Sequence, residues 1–145
     1  MNILPKQKID QLLIDSLEFY AETLLPGEHH KINLYLEIGG RDPYKKFLSY
    51  GNKAYLTVNN KGYNLFMRAN LPLKQQLIIM AHETVHLEQN HTKRLATLGN
   101  TLCFWEGELF VLTDDNYSKR PWEIEAFAKQ DELYNQFVES KRISK

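Results

Sequence analysis

The sequence predicts an α+β fold: a helix, a small mainly antiparallel sheet, a second helix, further strand and a closing helix. Apolar residues recur at helical spacing in three separated segments, two-residue alternation fills the stretch between the first and second, and Pro or Gly punctuates the joins. At 145 residues the chain can bury one continuous core, so a single domain spanning 1–145 is expected.

The first helix follows from Ile9, Leu12, Leu13, Ser16, Leu17, Tyr20 and Leu24, which share one face after Pro5 and stop at Pro26-Gly27. "KINLYLEI" then alternates Ile32, Leu34, Leu36 and Ile38 against polar neighbours, a half-buried strand closed by Gly39-Gly40. After the irregular link "RDPYKKFLSYG", "KAYLTV" and "YNLFMRA" form a hairpin around "NNKG", whose Asn and Gly tolerate positive φ. From Pro72 the period changes to that of a helix, with Leu77, Ile78, Ala81 and Val85 on its apolar face. "TLCFWEGELFVL" reads as a strand or a second hairpin around Gly107, "TDDNYSK" as a loop. Pro121 opens the last helix, whose Trp122, Ala126, Leu133 and Phe137 keep helical spacing up to the basic tail "KRISK".

Composition limits the function classes. Lys plus Arg and Asp plus Glu stand at 18 each, so no broad basic surface marks a nucleic-acid or anionic-membrane partner. The longest apolar run, Leu77 to Ala81, is far shorter than the roughly 18 residues that span a bilayer. "MNILPKQKID" lacks the apolar segment of a secretory signal, and a soluble cytoplasmic protein is expected. Cys103 is the single cysteine, which leaves no internal disulfide or multi-cysteine zinc cluster and reads as a small buried apolar residue. A metal held by this chain takes nitrogen and oxygen ligands.

"MAHETVHLEQN" supplies them. His82 and His86 stand four apart on the second helix, so both imidazoles reach one ion while Glu83 lies to its side. This is the HExxH arrangement of zinc metallopeptidases. Two imidazoles leave Zn²⁺ short of a tetrahedral shell, which a third protein ligand and a water complete. A divalent ion makes such a water acidic near neutral pH, and Glu83 is placed to take its proton as general base. Without a metal, Glu83 would be a solvated helix carboxylate and the histidines partly buried and satisfied by backbone. His91, five residues past His86, is rotated away from the ion on a continuous helix and reads as a surface or substrate-side histidine.

The chain resembles the gluzincins, thermolysin-like and aminopeptidase-like enzymes in which a glutamate on a later helix, followed by a small residue, completes the HExxH site. "IEAFA" looks like that signature, and "PWEIEA" is most similar to the small single-domain, minigluzincin-type or phage-like zincin members. The resemblance rests on residues 77 to 90 and 117 to 128. It implies a zincin-like fold, Zn²⁺ as cofactor and Glu125 as third ligand. Helical geometry leaves Glu123 open as the rival: the two lie about 200° apart around the axis with the apolar stripe between them, so only one faces the ion. Thermolysin-like enzymes carry an aspartate four residues after the ligand, where this chain has Lys129, so support for the histidines must come from elsewhere. The resemblance also points to Tyr117 as donor to the oxyanion of the tetrahedral intermediate, with His91 and Arg120 behind it. Trp122 reads as a core anchor.

The expected function is a small zinc metallopeptidase in which His82, His86 and the later glutamate hold the ion, Glu83 activates water and an extended peptide is cut. Enzymes of this class bind substrate as an added strand, for which "YNLFMRAN" or "FWEGELF" are candidate edges. The alternatives are a zincin-fold binding module without turnover and a metal-free interaction protein.

Overall fold

The computed structural model describes residues 1–39, 53–99, 101–113 and 119–141. Strand β1 (Asn2–Pro5) leads into helix α1 (Gln11–Leu24), which Asp10 caps by accepting the Leu12 N–H at 2.9 Å. A single 3-10 turn (His29–Lys31) precedes β2 (Asn33–Gly39), and β3 (Ala54–Asn59) and β4 (Gly62–Arg68) form the expected hairpin. The link "RDPYKKFLSYG" lies outside the described residues. Helix α2 (Leu73–His91) starts directly after Pro72, and α3 (Pro121–Lys141) opens on Pro121.

The architecture belongs to the α+β class, with helices α1 to α3 against one sheet and a smaller sheet beside them. In the first sheet the order is β1-β2-β4-β3. The sequence predicts mainly antiparallel pairing; instead β2 runs parallel to both β1 and β4, and the β3–β4 hairpin ladder alone is antiparallel. Side-chain alternation has the same period in both kinds of ladder, so it reports a strand and not its direction. The parallel β1–β2 pair is joined across α1, a β-α-β crossover hidden because the four-residue β1 carries too short a pattern to read.

Leu34 and Leu36 from β2 and Leu65 and Met67 from β4 face Leu17 and Tyr20 of α1 and Met80 and Val85 of α2. Ala126 and Phe137 of α3 close the same core. The Tyr20 hydroxyl donates to the Leu77 carbonyl at 3.0 Å, tying α1 to α2, and burial pushes its phenol pKa well up.

The second sheet, order β5-β6-β7, is antiparallel throughout: β5 (Leu95–Leu98), β6 (Leu102–Trp105) and β7 (Glu108–Val111). Positive φ at both Glu106 (48°) and Gly107 (88°) gives the β6–β7 turn the twist that suits a two-residue hairpin. Leu95, Cys103 and Trp105 point inward onto Trp122, with Phe110 against them. The outward set, Ala96, Leu98, Leu102, Phe104, Leu109 and Val111, is apolar as well, so alternation in "TLCFWEGELFVL" is weak although the segment is a clean hairpin.

β3 is an open edge. The Arg68 N–H donates to the Lys53 carbonyl at 2.9 Å, and antiparallel alternation from that pair turns the backbone polar groups of Ala54, Leu56 and Val58 away from β4. At the second sheet the Glu106 N–H donates to the Arg94 carbonyl at 2.7 Å, which turns the backbone polar groups of Leu95 and Thr97 away from β6 in the same way. Among the described residues no helix is long and apolar enough to cross a membrane.

Candidate metal centre

Helical spacing brings His82 and His86 together on α2: their Nε2 atoms stand 3.2 Å apart and the rings meet nearly edge to face. Glu123, in the first turn of α3, completes the group, its Oε1 lying 3.1 Å from His82 Nε2 and 2.8 Å from His86 Nε2. These ligand atoms all lie within 4.8 Å of one another. Around a tetrahedral zinc with bonds of about 2.0 to 2.1 Å, neighbouring ligands stand roughly 3.3 Å apart. The observed spacings need open by only a few tenths of an ångström to take such an ion.

The outer ring nitrogens are also engaged. His82 Nδ1 is 2.8 Å from Gln130 Oε1, and His86 Nδ1 is 2.8 Å from Gln89 Oε1. With Nδ1–H facing amide oxygens, the Nε2 lone pairs turn toward each other and toward a carboxylate oxygen. Three electron-rich atoms facing one another at this separation require a cation or a proton among them.

Electrostatics record that demand. Burial alone would push the Glu123 carboxyl up, but hydrogen bonds from His82 and His86 hold it far below the usual carboxylate range. At His86, burial works against the imidazolium; the Glu123 hydrogen bond and the charges of Glu83 and Glu123 outweigh it, raising the pKa to about 9. Glu83 lies on the helix between the histidines, 8% exposed, and burial pushes its carboxyl up against the partly offsetting attraction of His86 and His82. It borders two clefts. One, of about 780 Å³, runs between β3 (Tyr55 to Val58) and β5 (Leu95 to Thr97), with His86 and Glu123 on its lining. The other, of about 520 Å³, is lined by His82, Ile78, Ile79, Phe127 and Gln130.

The structure brings His82, His86 and Glu83 together but does not bring Glu125 to them. Glu125, the ligand implied by the family resemblance, faces the other way: its oxygens accept from both terminal nitrogens of Arg94, at 2.9 and 2.6 Å. That guanidinium holds its pKa down at about 2. Packing fixes the choice. Trp122 is buried against Trp105 and Phe110, and this sets the rotation of α3 so that Glu123, with Gln130 two turns on, faces α2 while Glu125 faces Arg94.

Tyr117 lies outside the described residues. His91 is away from the group, its Nε2 3.8 Å from Glu28, and Arg120 donates to the Thr113 carbonyl. Gln89, Gln130 and Arg94 escape sequence reasoning. Gln89 stands three residues past His86 and Gln130 seven past Glu123, each on the face of its partner, a spacing that could have exposed both. Arg94 carries no such signal. Comparison with protein-family models, with curated proteins and with solved structures found no match.

Proposed function

We propose that the chain is a small zinc-dependent metallopeptidase of zincin type, with His82, His86 and Glu123 as metal ligands and Glu83 as general base. The observation that carries this reading is the convergence of three ligand atoms from two helices within 4.8 Å, beside a buried glutamate. The HExxH resemblance supports the helix and the base; its third ligand moves from Glu125 to Glu123, a glutamate of the same helix but without the small residue behind it. Zinc bound there would polarise a carbonyl and make water nucleophilic near neutral pH. Glu83, buried on the helix between the two histidines, would be the group placed to take a proton from that water and to return it to the leaving amine.

An extended peptide is the substrate class that fits. The backbone groups of Ala54, Leu56 and Val58 that turn away from β4 have no ladder partner among the described residues; they line the larger cleft and can pair with an added strand. β4, within the sequence-read edge "YNLFMRAN", is paired on both sides and offers none. The alternative reading, a metal-binding module without turnover, draws on the neutral glutamines behind both histidines, since an amide raises ligand basicity less than a carboxylate does.

One experiment separates them. Purified protein is assayed for bound zinc and for cleavage of unfolded casein, alongside Glu83→Gln and His82→Ala. On the enzyme reading Glu83→Gln keeps zinc and loses activity by about 100-fold or more, while His82→Ala loses both. Zinc with no cleavage in the parent protein selects the module; no zinc at neutral pH ends both readings.

A further inference from the structure

Gln89 is 0% exposed, a buried amide whose every polar atom is committed. Its Nε2 donates to the Trp122 carbonyl at 3.0 Å and to Glu125 Oε1 at 3.1 Å. Both of those atoms only accept, so the amide nitrogen must face them; the flipped side chain would set its oxygen against a carbonyl and a carboxylate. The oxygen is thereby fixed toward His86 Nδ1, at 2.8 Å, and an oxygen there requires a hydrogen on Nδ1. The Nε2 lone pair of His86 is left on the side of His82 and Glu123. Glu125 is itself held by Arg94, which also reaches Glu88 at 2.5 Å and lies over the Trp105 ring, its Cζ 5.1 Å from the centroid. Gln130, behind His82, shows no comparable fixation: its oxygen meets His82 Nδ1 while its flank borders the smaller cleft.

We infer that Gln89 is a positioning residue that selects the metal-ready tautomer of His86, and that Glu125, clamped by Arg94, acts on the ligand through it. This rests on the zinc reading above. The glutamate that resembles a ligand by sequence thus serves the same centre from one shell further out, and carries no bond to the ion. Outer-shell partners of this kind typically contribute 10- to 100-fold in metal affinity.

The test measures zinc dissociation constants by chelator competition at fixed pH for the parent protein, Gln89→Leu, Glu125→Leu and the double variant. Gln89→Leu is expected to weaken zinc by about 10- to 100-fold and Glu125→Leu by roughly 3- to 10-fold. In the Gln89→Leu background, Glu125→Leu should add nothing, because its route to His86 is gone. A purely structural role for both residues predicts factors that multiply. Histidine-¹⁵N spectra of the zinc-loaded protein give an independent readout: Glu125→Leu, which leaves the ring untouched, should speed exchange of the His86 Nδ1 proton with water at least tenfold. That measurement decides the matter if Gln89→Leu does not fold. Unchanged zinc affinity in Gln89→Leu, multiplying factors, or an unmoved Nδ1 proton in Glu125→Leu would overturn this inference and leave the zinc reading standing; a parent protein that binds no zinc overturns both.

Discussion

At the scale of single residues, two glutamates two positions apart have opposite surroundings, and the difference can be measured without any metal. Glu123 sits against imidazoles, Glu125 against a guanidinium. In chelator, the His86–Glu123 pair makes folding depend on pH. His86 has its pKa raised from 6.5 to about 9, so its contribution is fully present below 6.5 and is lost as pH rises through 9. Glu123 has its pKa lowered, so the same contact is lost again as pH falls below the ordinary carboxylate range. Allowing for burial and coupling, the alkaline loss is on the order of 2 kcal/mol. Melting of metal-free protein should therefore fall by about 5 to 8 °C between pH 6.5 and 9.5; a flat or rising Tm over that range would remove the charged pair. The histidines and Glu83 were legible in sequence because i, i+4 spacing on one helix is local geometry. The choice between Glu123 and Glu125 was not, because it depends on how α3 is rotated, which is decided by Trp122 and Arg94 at contacts from the second sheet.

Among the elements, the hairpin of β3 and β4 carries the most demanding constraints. Gly62 has φ of +152° and lies so close to β2 that a Cβ there would stand 2.3 Å from the Asn33 carbonyl oxygen. Gly62→Ala is expected to cost on the order of 3 kcal/mol through clash and backbone strain, read as a lower urea midpoint at unchanged m. Edge position makes a different prediction at neighbouring residues. Thr57 exchanges ladder hydrogen bonds with Asn64, whereas Val58 presents its N–H to the cleft. Thr57→Pro should unfold the hairpin. On the peptidase reading, Val58→Pro should fold and lower kcat/KM on extended peptides by roughly tenfold, mainly through KM, since it removes one donor to an added strand. Equal activity in Val58→Pro would show that substrate does not pair along β3. Helices α1 to α3 and the β3–β4 hairpin were readable because their patterns are long or their turn residues diagnostic. β1 and β5 span four residues each, too few for period two to stand out, and the parallel pairing of β2 leaves no mark on its own sequence.

For the molecule as a whole, the α+β class follows from composition and the succession of periods, while the division into two sheets does not, since the apolar outer face of β5 to β7 hides the alternation that would mark it. What joins the parts is the contact between α2 and α3. His82 and His86 come from one helix and Glu123 from the other, so an ion shared by all three is a cross-link between segments about forty residues apart in sequence. Such an ion binds the folded arrangement and finds no preformed partner set in the unfolded chain, so its binding energy adds to folding. At free zinc of about 100 times Kd the gain is about 2.7 kcal/mol, or roughly 5 to 10 °C in Tm for a chain of this size. Scanning calorimetry at pH 7 with and without zinc measures it. Glu83→Gln should keep the whole shift because it leaves the ligands in place, His82→Ala and Glu123→Gln should lose most of it, and Glu125→Leu should fall between. If zinc stabilised His82→Ala as much as the parent protein, the ion would be held elsewhere, and α2 and α3 would owe their alignment to apolar packing and to direct contacts such as His86–Glu123, His82–Gln130 and Gln89–Trp122.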